Sequence, residues 1–232
     1  MSMTFLQLCA RLRQEVSGSG TGPSTTVGQT GELGRIVSWI ATADEDIQRL
    51  ENEWLFMRSG FTVNTVADTA AYAYTACTDT TSSATITAFR NWVKDSFKIY
   101  LSSTGVAGEG AIDYIDYQTW YEIYGTGTQT SGFPHEFTVL HNRSFSLGQK
   151  PNAVYVVTGE YQKAVTTMTA NADVPVYPAE FHMLPVYLGM MSYGRYTGAS
   201  EVYQDGQRLS KQMLAQMRRT QLPEIQMAGA DV

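Results

Sequence analysis

The residues whose types could do chemistry are few and scattered. Three histidines occur, His135, His141 and His182, and none has a second ligand at metal-binding spacing. The sequence contains no H-E-x-x-H, no C-x-x-C and no phosphate-binding P-loop. Glu180, His182 and Glu201 are types suited to acid–base work, but they fall near expected helix starts, where a carboxylate complements the helix dipole. Asp113 and Asp116 stand at i and i+3 at the start of another expected helix. Paired carboxylates can run glycoside hydrolysis, yet capping is the simpler account of these two. Gly105, Gly108 and Gly110 lack the strand–turn–helix frame of a phosphate loop. The hydroxyls of residues 17–26 lack a nucleophile-elbow pattern. No catalytic, cofactor-binding or metal-binding residue is therefore expected, and the chain reads as a non-enzyme.

Two rival chemistries remain to be weighed. Tyr114, Tyr117, Trp120, Tyr121 and Tyr124 cluster in one segment and suggest a carbohydrate or host-surface binding module. Helical spacing spreads these rings over more than one face, which divides them between core and interface. A glycan array would test that reading. A hydrolase built on Asp113, Asp116 or Glu180 would show itself in a substrate screen with Asp113→Asn as control.

The elements that must position these residues follow from composition and period. The 232 residues are 43% hydrophobic, enough for a proper core and for one or two domains. Charged residues make up only 16%, against about 25% in an average soluble protein, and 14 tyrosines raise the aromatic share. Such a surface is typical of subunit contacts. With a net charge of −6, nothing suggests a groove that grips nucleic acid through phosphates. Cys9 and Cys77 read as unpaired thiols of a reducing compartment, although pairing stays open. Arg11 and Arg13 interrupt the first segment, so it is not a signal peptide, and no run approaches the roughly 18 apolar residues of a membrane span. The protein is expected to be cytosolic when made.

Thr4 and Gln7 make a capping box for a helix whose stripe is Phe5, Leu8, Leu12 and Val16. After a Gly/Ser/Thr loop over 17–29, a second helix begins at Thr30 and Glu32. Its stripe is Leu33, Ile36, Val37, Ile40, Ala43, Ile47, Leu50 and Trp54, and Arg35, Asp44, Glu45, Gln48 and Arg49 lie on its polar face. Residues 55–177 are Thr-, Ser- and Gly-rich and alternate as strands do over 61–64, 72–75, 97–101, 136–140, 144–147 and 153–162, with a helix inside over 113–124. Helical period returns at Pro178 with Phe181, Leu184, Leu188 and Met191, and breaks near Gly194 and Gly198. A last helix over about 199–221 carries Val202, Leu209, Met213 and Met217, with Gly206 on the same stripe, where another backbone must lie close. The expected fold is α+β. A discontinuous helical bundle (residues 1–54 with 178–223) carries an inserted β-rich domain (55–177), and 224–232 form a flexible tail. Trp39, Trp92, Tyr193, Tyr196 and Tyr203 are the candidate subunit-interface residues on pattern alone.

The order and spacing of several packing motifs resemble the head-to-tail adaptor (connector) proteins of tailed bacteriophages. These are residues 3–15, MTFLQLCARLRQE; Gly28-Gln29-Thr30-Gly31-Glu32 with Arg35-Ile36-Val37; Asp46-Ile47-Gln48 with residues 54–58, WLFMR; residues 178–187, PAEFHMLPVY; Glu201-Val202-Tyr203; and Gln221-Leu222-Pro223. Weaker links run through Lys98-Ile99-Tyr100 and Ile115-Asp116-Tyr117. The resemblance implies a structural virion protein, assembled in the host cytoplasm and sited at the head–tail interface. It implies a homo-oligomeric ring, often of twelve copies, docked under the portal protein. The bundle would form the ring wall, and the β part would face a tail tube or nozzle protein. The C-terminal residues, Glu224, Ile225, Gln226 and Met227 among them, would reach into the portal. No cofactor and no membrane are implied, and viral DNA would pass through the channel without sequence-specific binding.

Overall fold

In the computed structural model, which describes residues 2–16 and 20–223, the chain is α+β. The helices are α1 (Phe5–Glu15), α2 (Gly31–Leu50), a short α3 (Tyr117–Trp120) that runs into a π-helical turn (Tyr121–Gly125), α4 (Leu184–Thr197) and α5 (Ser200–Gln221). The strands are β1 (Arg58–Asn64), β2 (Ala71–Tyr72), β3 (Thr78–Asp79), β4 (Asn91–Leu101), β5 (Gly110–Ala111), β6 (Asp113–Tyr114), β7 (Ser131–Gly132), β8 (Glu136–Val139), β9 (Phe145–Leu147), β10 (Lys150–Pro151) and β11 (Tyr155–Gln162). Contacts divide the chain into two compact units, one drawn from the residues up to Met57 and from Val165 onward, the other Arg58–Ala164.

In the helical unit, Thr4 and Gln7 close the expected box: Thr4 Oγ1 accepts from Gln7 N, and Gln7 Oε1 accepts from Thr4 N at 2.9 Å. Two other first-turn N–H groups of α1 are satisfied from far along the chain, Phe5 N donating to Asp173 O at 2.7 Å and Leu6 N to Asn171 O. Phe5, Leu8, Leu12 and Val16 are buried with Ile36, Ile40, Val186 and Met190. Leu12 reaches α4 because position 189 is glycine; a Cβ there would stand 2.7 Å from the leucine methyl. The α4–α5 pair is closer still. A Cβ at Gly206 would stand 2.7 Å from Tyr187 O, and one at Gly194 2.8 Å from Tyr203 N, so the two backbones meet where the stripe glycine required a neighbour. Gly198, at φ +75°, ends α4 in the left-handed conformation.

Three details of the helical unit depart from the sequence reading. Asp44 and Gln48, expected on the solvent face of α2, are buried, because residues 165–177 pack along that side. Leu50, expected on the apolar stripe, is 46% exposed at the helix end, while Trp54 beyond it is fully buried and donates from Nε1 to Ile47 O at 2.9 Å. The helix expected from Pro178 begins at Leu184, after a 3-10 turn at Ala179–Phe181, so Pro185 sits in the first turn, where its missing N–H leaves no bond unmade.

The other unit is β-rich. A five-stranded sheet runs β3-β1-β11-β4-β5, and a four-stranded sheet runs β2-β9-β8-β6. Strand β1 alternates as its sequence does, with Ser59, Phe61 and Val63 inward, and pairs antiparallel with β11 from Arg58↔Gln162 to Asn64↔Val156. Rings from both sheets fill the core: Phe97 stacks on Phe137 at 4.0 Å between centroids, and Phe61, Trp92 and Phe145 meet around them. The β8–β9 hairpin turns at Asn142-Arg143, with Arg143 at φ +65°. The helix expected over 113–124 is shorter. Asp113 and Tyr114 form β6, paired parallel with β8, and the helix starts only after Asp116. A pairing with a strand more than twenty residues away outweighs the local helical period.

Candidate interaction surface

The polar residues with catalytic potential do not converge. Asp113 lies in β6, whereas Asp116 is the N-cap of α3, accepting from Gln118 N at 3.0 Å and Thr119 N at 3.1 Å. Hydrogen bonds from Thr119 hold its carboxyl below the usual range. Glu180 is exposed in the 3-10 turn, and Glu201 is in the first turn of α5. His135 and His141 are exposed, His135 against the ring of Phe133 at 4.8 Å. Among the described residues, no group of three or more His, Cys, Asp or Glu is placed to hold a metal ion. Both cysteines are free and buried, and burial pushes each thiol up to about 12, which suppresses the reactive thiolate.

His182 has a positioning task. Met3 N donates to its Nδ1 at 3.0 Å, which leaves the proton on Nε2, 3.1 Å from Tyr177 O. Burial holds its pKa below the ordinary value, so the neutral ring ties the start of the chain to the turn before α4. Beside it lies a buried polar layer. Gln48 Nε2 donates to Asp44 Oδ2 at 2.7 Å and to Thr166 O at 2.9 Å, and Thr166 N donates back to Gln48 Oε1 at 3.0 Å. Asp44 also faces Tyr177, yet neither Asp44 Oδ1 nor the Tyr177 hydroxyl completes a hydrogen bond of normal geometry. Burial therefore dominates and raises the Asp44 carboxyl to about 6, while burial and that carboxylate push Tyr177 well above its ordinary value. This layer fixes residues 165–177 against α2 and leaves the opposite side of α2 to form a surface.

That surface is apolar and aromatic. A groove of about 380 Å³ runs between α2, α4 and α5, floored by Ile47, Leu50, Leu188, Met191 and Leu214, with Asp46, Arg195 and Lys211 among its polar lining. At one end Trp39 meets Tyr193 edge-on at 6.1 Å and Tyr196 at 5.8 Å. The Arg35 guanidinium lies 4.1 Å from the Tyr196 ring, and that of Arg195 lies 5.6 Å from the Tyr203 ring. The close α4–α5 approach at Gly194 and Gly206 sets the width of this face. Of the interface candidates chosen on sequence, Trp39, Tyr193, Tyr196 and Tyr203 thus come together on the helical unit. Trp92 does not join them. It is 4% exposed in the β-unit core and donates from Nε1 to Arg143 O at 2.8 Å. Glu224, Ile225, Gln226 and Met227 lie outside the described residues. The groove itself was missed by the sequence reading. Its signal is Leu50, Leu188, Met191 and Leu214 on three separate helices, which no single helical stripe displays.

This arrangement suits the burial of a partner's apolar side chains between cation-capped rings. Among the described residues, no helix is long and apolar enough to cross a membrane. A family model described as SU10 adaptor protein matches residues 3–231, almost the whole chain. No curated protein matches.

Proposed function

The chain belongs to the SU10 adaptor protein family, a family of phage head-to-tail adaptors, and on that premise we propose that it works as a non-enzymatic ring subunit of the virion. In this reading the helices at both ends of the chain act as one discontinuous bundle, residues 1–54 with 178–223, and copies associate around the head–tail axis. Twelve copies dock beneath the portal protein, the β-rich insertion faces a tail tube or nozzle protein, and residues 224–227 touch the portal. Subunits assemble in the host cytoplasm before joining the particle.

The family match over residues 3–231 carries this reading. The groove and the Trp39, Tyr193, Tyr196 and Tyr203 face support it as the subunit contact, because interface cores favour half-buried aromatic anchors over charge. With −6 on each copy, a ring presents DNA with a wall that repels phosphate, so the genome slides past without being held.

Negative-stain imaging of the full chain mixed with the portal protein of the same phage tests the proposal. The expected result is a ring with a central hole seated on the portal, lost in Trp39→Ala/Tyr196→Ala. A chain that stays monomeric and never sediments with the portal overturns it.

A further inference from the structure

The β unit carries a second exposed aromatic surface, unlike the first. The turn made by α3 and the π-helical segment is fastened to the sheet on its inner side: Trp120 Nε1 donates to Leu147 O at 3.4 Å, and the Tyr124 hydroxyl donates to Glu136 Oε2 at 2.9 Å. Gly148 admits the Tyr124 ring, since a Cβ there would stand 2.8 Å from it. The outer side is left bare. Tyr117 and Tyr121, one helical turn apart, are 44% and 46% exposed with their rings 6.0 Å apart, and Ile123, 56% exposed, flanks them.

The segment that carries them is acidic. From Ile99 to Asn142 there is no lysine or arginine, while Glu109, Asp113, Asp116, Glu122 and Glu136 are acidic. Glu109 is paired with Lys98, but Asp113, Asp116, Glu122 and Glu136 form no ion pair among the described residues. Asp113 and Glu136 are register partners on β6 and β8. The next pair along, Tyr114 and Phe137, touch at 5.7 Å, so Asp113 and Glu136 share the opposite side, where two like charges are unfavourable neighbours. Lys94 is committed to the Tyr114 ring, 3.8 Å from its centroid, on the other side of β6.

We propose that the outer side of this turn is a docking surface for a second protein that presents arginine or lysine around an apolar anchor. The anchor would sit on Tyr117 and Tyr121, and the cations would meet Glu122 and Asp116, with the Asp113–Glu136 pair adding to the negative field nearby. Guanidinium groups also stack on tyrosine faces, which suits arginine in particular. A sugar fits less well. The two exposed rings are tilted by 32° and offer no flat platform, and the Gln118 amide is already spent on Glu122 at 3.0 Å. The inference stands apart from the subunit contact proposed above: failure to form rings removes that reading and leaves this one.

The test is a titration of the full chain, labelled with nitrogen-15, followed by amide resonances. The probes are a synthetic peptide with arginines flanking leucines, the same peptide with glutamates in place of arginines, and a linear hexose oligosaccharide. The arginine peptide alone is expected to shift residues 116–124 and 136, with affinity falling at least tenfold as salt is raised. Tyr117→Ala/Tyr121→Ala is expected to weaken binding at least tenfold with an unchanged melting temperature, since it removes only exposed rings. Glu122→Lys is expected to weaken it as well. Shifts located elsewhere, equal binding of the glutamate peptide, full binding by the tyrosine variant, occupancy by the sugar instead, or no binding at all would each overturn the proposal.

Discussion

Each unit buries one aspartate almost completely, Asp44 at 1% exposure in the helical unit and Asp79 at 4% in the β unit, yet their acidities move in opposite directions. Asp79 accepts from Thr81 N at 2.9 Å, Ser82 N at 2.6 Å, Ser82 Oγ at 3.0 Å and the Tyr161 hydroxyl at 2.8 Å. Burial raises its pKa, but hydrogen bonds from Ser59, Ser82 and Tyr161 together outweigh that and hold the carboxyl well below the usual range. Asp44 is as hidden from solvent but lies deeper in the protein, with one firm donor, Gln48, and an oxygen left over. Depth and donor count act together here: the deeper Asp44 with one donor is pushed up, and the shallower Asp79 with several donors is held down. Asp79 closes a tight turn within a few residues of itself. Asp44 draws its firm donor from Gln48, one turn along the same helix, while its other polar neighbour, Tyr177, comes from more than a hundred residues away and leaves one carboxylate oxygen unsatisfied.

The strongest way to test the contrast between the units is to empty the β core. Trp92→Ala removes a ring that touches Phe61, Phe97 and Phe145, and should cost about 3–5 kcal/mol in urea unfolding. Asp79→Ala leaves several buried donors without an acceptor and should cost about 2–3 kcal/mol at neutral pH. The wild-type contribution of Asp79 is present above the unfolded-state pKa and is lost as pH falls, so the penalty should shrink in acid. Asp44 should behave in reverse. Its folded pKa is raised from 3.8 to about 6, so its contribution is intact below 3.8 and is lost as pH rises through 6. Asp44→Asn should therefore stabilise the protein at pH 8 by about 1–2 kcal/mol, do little at pH 4, and flatten the melting-temperature profile between them. An Asp44→Asn protein less stable than wild type at pH 8 would show that the carboxylate is satisfied after all. The smallest effect is expected at the helix cap: Thr4→Ala should cost about 1 kcal/mol, independent of pH over this range.

How much of this was legible depended on distance along the chain. The Thr4–Gln7 box, the Asn142-Arg143 turn, the alternation of β1 and the close neighbour of Gly206 were all readable, because each is dictated by a few adjacent residues or by one side chain that must be absent. Asp44 and Gln48 were misread for a physical reason. Helical period sorts polar side chains to the outside, and nothing local reveals that residues 165–177, with no period of their own, cover that face. Residues 113–116 failed similarly, since their strand partner on β8 is set by tertiary pairing. Of the candidate surface, the aromatic members on α2, α4 and α5 were found, but Trp92 was placed at the surface by type alone. The groove needed three helices in space before it existed.

The tie between Met3 and His182, with those from Phe5 and Leu6 to Asp173 and Asn171, bears on how the chain matures during synthesis. The contacts that define the β unit as a compact body join residues within 58–164, so that unit can close while the ribosome is still translating. Helix α1 is made before the β unit but must wait for α4 and α5, which are complete some 57 residues after the end of the β unit, or roughly 3–11 s at about 5–20 residues per second. Through that interval only α2 is available to cover the apolar stripe of α1, so the face that Val186 and Met190 later bury stays open to a chaperone.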